Sequence, residues 1–580
     1  MGSPTAPNAE PTSGVASTDD HRATPYRAAD DATGDHGADG AMLDHGACYE
    51  AVRRRDARFD GRFYTGVTST GIFCRPSCPA RTPRSSNVRF FLHAAAASTA
   101  GFRPCRRCRP ELAPGHPEWN RRADLAGKAL ALIEQGVVDV EGVAGLAGRL
   151  GVSERHLRRE LNEAVGTGPT QLARSRRLWL ARLLLDQTNL AITDVAFASG
   201  FSSIRQFNDA FRQTFDATPT TLRRRPDTAA TGATELTLSL SGRGSVQWTD
   251  LHRFLTARAI DGLELSTENR FRRGVPGGWL EIEGTEDDDR LLLRCRLDRL
   301  DQVAQLVPMV RRVADLDTDL QPVAEHLSAD PDLAGRLEAR RLPRLPGTFD
   351  PFELAIRAVV GQQVSVAGAS TTLANLVTLA VGPPPEGTPA GEPDERGRRP
   401  GPDPDLDPDP NARSGSESVG GDRDPALHQR FPTADEIASA PLDELGMPGK
   451  RRATIRALAE AVADGRIDLS AAADRERTAA QLLDVPGIGP WTAGYVAMRA
   501  LNDPDGWPVG DLVLRNSLGT DAKELERRAE RWRPWRAYAA LLLWNTNPRS
   551  AKNAKNNDND NDNDRDKETP EKKQKKEELR

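Results

Sequence analysis

The sequence predicts a multidomain protein. It has a compact unit built on four cysteines, an all-α unit of two helix-turn-helix pairs, an α+β unit and a second all-α unit with a helical hairpin. Three observations predict it. At 580 residues the chain is several times the usual length of one domain. Stretches 1–43, 382–424 and 549–580 are rich in Ala/Asp/Gly/Thr, in Pro/Gly/Asp, and in Asn/Asp followed by Lys/Glu. Such compositions cannot bury a core, and all three read as disordered. Between them the apolar period is helical over 124–225, alternating from 235, and helical again from 341.

Charge is unevenly distributed. The net charge is −5, yet residues 45–225 hold 29 arginines and lysines against 16 acidic residues, a net of plus thirteen. The remainder therefore carries minus eighteen. Basic charge gathers where nucleic acid would be met. No apolar run reaches 18 residues, so no membrane span is expected. The polar, acidic N-terminus lacks a signal pattern, and a cytoplasmic location is expected.

The first unit, 44–120, carries Cys74 and Cys78 in GIFCRPSCPAR, then Cys105 and Cys108 in GFRPCRRCRP. A C-x3-C pair followed by a C-x2-C pair is metal-ligand spacing, because each short pair reaches one tetrahedral ion from a turn. All-sulfur tetrahedral sites select zinc or iron–sulfur, and the flanks lack ferredoxin spacing; one Zn2+ is expected. Cys48 and Cys295 have no such partner, in keeping with a reducing setting that reserves thiolates for metal. Arg75, Arg81, Arg84, Arg103, Arg106, Arg107 and Arg109 crowd the site. They suit either the minus-two charge of a four-thiolate zinc centre or a phosphate backbone. Spacing alone allows a purely structural zinc ribbon.

FYTGVTSTGIFCRPSC and GFRPCRRCRP resemble the N-terminal domain of the Ada methylphosphotriester-repair proteins. The resemblance implies a small α+β zinc domain in which Cys74 is methyl acceptor as well as ligand, with Cys78, Cys105 and Cys108 as ligands only. A metal-held thiolate is deprotonated at neutral pH and can attack the methyl of a neutral phosphotriester. The thioether formed removes one negative charge, so damage is converted into DNA affinity.

The second unit, 121–226, repeats one design. In VEGVAGLAGRLGVSERHLRREL, Val143, Leu146 and Ala147 face inward, Gly151 turns, and Ser153 caps a helix carrying Arg155, Arg158 and Arg159. In AITDVAFASGFSSIRQFNDAFRQTF, Gly200 turns, Ser202 or Ser203 caps, and Arg205 and Gln206 occupy the early exposed face. LARSRRLWLARLLLDQ between them reads as a long amphipathic helix that sets the spacing of two readers. Successive major grooves would place them about 34 Å apart. The second repeat resembles the AraC-type regulator signature. Behind an Ada-like domain, this implies a methylation-activated transcription factor with RNA polymerase as a further partner.

The third unit, 233–340, opens with alternating ELTLSLS, continues with the strand-like WLEIEG and LLLRCRL, and adds a helix at LDQVAQLVPMVRRVADLD. The fourth, 341–548, contains DVPGIGPWTAGYVAMRAL. PGIG between helical patterns is a helix-hairpin-helix turn in which Gly487 and Gly489 let backbone amides approach a phosphate. WPVGDLVLRNSLG follows, with Asp511 beyond the Gly/Pro loop. The hairpin and Asp511, with ELGMPGKRRATIRALA and ERWRPWRAYAALLLW, resemble the AlkA-type 3-methyladenine DNA glycosylases over about 235–548 outside the insert. That resemblance implies an AlkA-like α+β N-terminal domain and a helix-hairpin-helix glycosylase domain. Asp511 would be catalytic, Trp544, Trp491 and Tyr495 would form the base pocket, and Gln363 in GQQVSV would be the wedge.

Relatives that cleave the strand carry a lysine where Trp491 stands, and no cysteine follows Cys295 to build an iron–sulfur cluster. A monofunctional glycosylase is therefore expected. The second methyltransferase of Ada proteins, with its PCHR cysteine, has no counterpart here. The competing expectation is a DNA-binding activator with structural zinc and a catalytically idle glycosylase-like part.

Overall fold

Helix His45–Arg54 comes first among the described residues of the computed structural model, followed by short strands rich in aromatic and β-branched residues. The structure describes residues 43–110, 125–223, 235–383, 427–428, 430–470 and 473–546. The stretches expected to be disordered lie outside these residues, apart from 43 and 382–383. Tyr64–Val67 (β1), Ile72–Cys74 (β2), Val88–Phe91 (β3) and Arg103–Pro104 (β4) form a sheet of order β3-β1-β2-β4. Its pairs are antiparallel except β2 with β4. Gly66 is dictated by packing: a Cβ there would fall 2.8 Å from the Phe91 ring and 3.0 Å from Phe102. Helix His45–Arg54, capped by Asp44, lays Cys48, Ala51 and Val52 against Phe63, Val88 and Phe90.

The two helix-turn-helix pairs form as expected, each second helix capped by a serine. Ser153 accepts the His156 N–H at 3.3 Å and Ser203 that of Gln206 at 3.1 Å. Helix Pro169–Gln187 between them departs from the expected amphipathic rod. Leu172, Leu178, Leu180 and Leu183–Leu185 are all buried, and so are Arg176 and Arg182. Both helical pairs and the next sheet close around it, which leaves only Thr170 and Gln171 of its first turn exposed. Its arginines stay because they are paired: Arg176 donates to the Glu134 carbonyl at 2.7 Å and to Asp139 at 2.8 Å.

Glu235–Ser241 (β5), Glu264–Ser266 (β6), Arg270–Val275 (β7), Gly278–Gly284 (β8) and Arg290–Leu297 (β9) form an antiparallel sheet of order β5-β9-β8-β7-β6. Strand β5 is an edge, and Gln187 blunts it. The amide side chain accepts the Ser239 N–H at 2.6 Å and donates to the Ser239 carbonyl at 3.2 Å, as a ladder partner would. One apolar core runs without break from Leu178–Phe215 into this sheet and helix Val303–Val313.

The remaining helices make two further cores. One joins Pro351–Val360, Val366–Val381, Gly449–Ala463 and Pro490–Arg499. The other joins Leu320–Ser328 and Pro331–Ala339 to Trp507, Trp532, Tyr538 and Leu541–Leu543. Arg273 of β7 and Arg357 share the buried carboxylates of Glu264 and Glu353, tying the sheet to helix Pro351–Val360. Among the described residues no helix is long and apolar enough to cross a membrane.

Candidate functional site

Pairing of β4 alongside β2 assembles the cysteines. Cys74 ends β2, and the Cys105 N–H donates to the Phe73 carbonyl at 2.9 Å. The four sulfurs of Cys74, Cys78, Cys105 and Cys108 lie within 4.8 Å of one another, with Cys78 and Cys105 at 4.0 Å. Zinc–sulfur bonds of about 2.3 Å put sulfurs about 3.8 Å apart, so this donor set fits one tetrahedral Zn2+. Hydrogen bonding to Cys105, then Cys108 and Cys78, and burial push the Cys74 thiol far above its ordinary value. Four sulfurs this close need a cation among them to be thiolates together.

The four are not equivalent. Cys78, Cys105 and Cys108 are buried, whereas Cys74 is partly exposed; the cavity it lines with Thr65, Ile72 and Arg103 is also lined by Cys78 and Cys105. The arginine crowd is also sorted. Arg75 pairs with Asp60 at 3.2 Å, Arg103 with Asp216 and Arg109 with Asp186, and Arg106 donates to the Asp216 carbonyl at 3.1 Å. Among the described residues Arg81, Arg84 and Arg107 are exposed and have no ion pair. The expected ring thus divides into structural and open members.

In the helix-turn-helix unit, Arg155, Arg205 and Gln206 are all exposed at the starts of their helices. The Arg205 side chain is 94% exposed, with Asp209 at 3.9 Å. Gln206 accepts from the Ser202 hydroxyl at 3.1 Å.

At the hairpin, Gly487 has φ +93°, and a Cβ there would meet Thr454 Oγ1 at 2.1 Å. Thr454 donates to the Pro486 carbonyl at 2.8 Å, so the turn packs directly on helix Gly449–Ala463. Gly489 is the residue before Pro490, the first of helix Pro490–Arg499, and faces open space. Proline there removes a donor the helix could not use, and the next amides face outward for an anion.

Trp491 and Tyr495, one turn apart on that helix, stack at 5.2 Å and 8°; Trp544 lies 6.4 Å from Tyr495 at 56°. Asp511 is 7% exposed and caps helix Leu512–Leu518. Its Oδ1 accepts the Leu514 N–H at 2.8 Å and Trp544 Nε1–H at 3.2 Å, while Oδ2 accepts Trp491 Nε1–H at 2.7 Å. The structure thus brings Asp511 and the three expected aromatics together. Val509, Leu512 and Val513 form an exposed apolar rim beside Asp511. Gln363 is exposed at φ +58°, between helices Pro351–Val360 and Val366–Val381 and flanked by exposed Val364 and Val366.

Three residues escaped the sequence reading. Gln362 donates to the Gly487 carbonyl at 3.2 Å and to Thr492 Oγ1 at 3.1 Å, tying the Gln363 loop to the hairpin. Its only signal was its place in GQQ. Arg499 donates to Tyr495 Oη at 2.6 Å and to the Pro346 and Gly347 carbonyls at 2.5 and 2.9 Å. Burial alone would raise the Tyr495 phenol, but Arg499 and Arg258 hold it below its ordinary value. Neither arginine is marked by spacing or motif.

A zinc centre, paired DNA-type readers and a carboxylate pocket behind a helical hairpin define a fused regulator-and-repair class of protein. Family models agree: the metal binding domain of Ada matches residues 47–111, a helix-turn-helix domain 146–225, and the AlkA N-terminal domain 237–350. The chain is 41% identical over 515 residues to the "Probable bifunctional transcriptional activator/DNA repair enzyme AlkA" of Mycobacterium tuberculosis (strain CDC 1551 / Oshkosh), covering 86% of this chain and 96% of that relative. It is 30% identical to DNA-3-methyladenine glycosylase 2 of Escherichia coli (strain K12), over 53% of this chain and 96% of that protein. To the bifunctional transcriptional activator/DNA repair enzyme AdaA of Bacillus subtilis (strain 168) it is 32% identical, over 30% of this chain and 81% of that protein. The chain belongs to the family of bifunctional transcriptional activator/DNA repair enzymes.

Proposed function

We propose that this protein senses alkylated DNA through Cys74, activates transcription through its helix-turn-helix pairs, and excises alkylated bases as a monofunctional glycosylase. The observation that carries the reading is Asp511, a buried carboxylate held by two indole N–H groups inside an aromatic pocket. N3-methyladenine and N7-methylguanine bear positive charge and depart as neutral bases, so they need little acid assistance. The sugar left behind becomes oxocarbenium-like, and a fixed carboxylate beside C1′ stabilises it and orients water. The faces of Trp491, Tyr495 and Trp544 attract a cationic purine by about 0.5–2 kcal/mol per good contact. Flipping the base costs a few kcal/mol. The hairpin amides at Gly487 and Gly489 would hold the backbone, and Gln363 would fill the vacated stack.

At the first site Cys74 would take the methyl and Cys78, Cys105 and Cys108 would hold the zinc, which keeps the sulfur a thiolate at neutral pH. Support lies in the partial exposure of Cys74 beside three buried cysteines. Arg155, Arg205 and Gln206 would face DNA, with RNA polymerase as the downstream partner. Release of 3-methyladenine from alkylated duplex is the test. Asp511→Asn should lower it by about 10²–10³ or more, on the scale of removing one transition-state charge partner. Equal release by variant and wild type would remove Asp511 from the chemistry.

A further inference from the structure

Beside the acceptor sulfur sits a buried hydroxyl without a partner. Thr65 is 1% exposed, and its Oγ1 makes no hydrogen bond. Its backbone stands directly opposite Cys74 in the antiparallel β1–β2 pair, so both side chains leave the same face of the sheet. Both line the same cavity. Register, burial and cavity together place one spare donor next to one sulfur.

We propose that the Thr65 hydroxyl donates to the Cys74 thiolate and damps it, so that the acceptor is not spent on stray alkylating agents. This rests on the reading of Cys74 as methyl acceptor. A buried hydroxyl left unpaired is costly, and a thiolate on the facing residue of the next strand is an anionic acceptor on the same side of the sheet. In the reaction a sulfur lone pair forms the S–CH3 bond. The methyl C–O bond breaks, and its electron pair leaves on the phosphate oxygen as a diester anion. No proton moves, and Thr65 keeps its hydrogen. The neutral thioether accepts a hydrogen bond poorly, so the bond to Thr65 is lost on the way to the transition state and its loss adds to the barrier. Thr65 is a positioning and tuning residue, not a catalytic one.

The test uses the full zinc-loaded chain, with methyl iodide as a small probe and a duplex bearing one methylphosphotriester as the DNA arm. Mass spectrometry of the Cys74 peptide follows methylation. Thr65→Val should react about tenfold faster with methyl iodide, the loss of one charge-assisted hydrogen bond of about 1.4 kcal/mol. Thr65→Ser should match wild type. In Co2+-substituted protein the thiolate-to-metal charge-transfer band should move to lower energy in Thr65→Val and stay in place in Thr65→Ser. Equal or slower methylation of Thr65→Val, or an unmoved band, overturns the proposal. A wild type that takes no methyl from the duplex would refute the acceptor reading instead, while the band would still report on Thr65.

Discussion

Single side chains here serve the backbone and the chemistry at once. Asp511 caps a helix while presenting its carboxylate to two indoles, so the cap also fixes the orientation of the functional group. His93 shows what a titratable cap costs. Its Nδ1 accepts the Ala95 N–H at 3.1 Å as the cap of helix Ala94–Thr99, which requires that nitrogen to be unprotonated. Burial lowers its pKa to about 4, against about 6.5 unfolded. The unfolded chain therefore binds the proton more readily, and the contribution of His93 to stability is full above about pH 6.5 and lost progressively as pH falls toward 4. Titration of the ring by NMR should return a value near 4. His93→Asn, which keeps an acceptor at the cap without a titrating ring, should flatten that part of the stability profile. His93→Ala should cost about 1 kcal/mol at neutral pH. A ring titrating near 6.5 would refute the account.

At the scale of elements, the hairpin and the loop carrying Gln363 are one device. Gln363 holds a left-handed conformation that costs a non-glycine residue about 1 kcal/mol, and Gln362 anchors it to the hairpin turn through two hydrogen bonds. If the hairpin holds the DNA backbone and Gln363 fills the vacated stack, as proposed, the distance between them is set before DNA arrives. Gln362→Ala should lower excision from paired duplex about tenfold, yet leave excision of the same lesion in an unpaired bulge within about twofold. Equal losses on both substrates would assign Gln362 a general structural role.

The legible elements were those whose chemistry is written in local spacing: the cysteine pairs, the serine caps at Ser153 and Ser203, PGIG, and the alternation of β5, β8 and β9. Strands β6 and β7 were not legible. Arg270, Arg272 and Arg273 carry no strand signal of their own, and only the fold brings Glu264, Glu281 and Glu353 beside them. Helix Pro169–Gln187 misled for the same reason. Arg176 and Arg182 mark a polar face in sequence, and only tertiary partners make them buried. Gln362 and Arg499 act through carbonyls far along the chain, which no pattern of side chains encodes.

On the scale of the whole molecule, the regulator and the repair half are built as one body. The second helix-turn-helix pair shares its apolar core with the five-stranded sheet, and Gln187 completes the edge of β5. Arg176 sits where they meet. It is 6% exposed, pairs with Asp139, reaches the Glu134 carbonyl, and donates to the Ala304 carbonyl beyond the sheet. Removing one partner of a buried pair strands the other, which costs about 3–5 kcal/mol. If the halves are separate domains, Arg176→Ala should lower the melting of the helix-turn-helix unit alone. A shared core makes a different demand: exposing it on one side withdraws apolar contacts from the other. Calorimetry with tryptophan emission as a second probe separates the two cases, since Trp507, Trp532 and Trp544 lie in the repair half and Trp179 in the regulator. The expected outcome is one transition, displaced to lower temperature, with both probes moving together. A repair-half transition that stays in place while the regulator melts early would show that the common core carries no cooperativity between them.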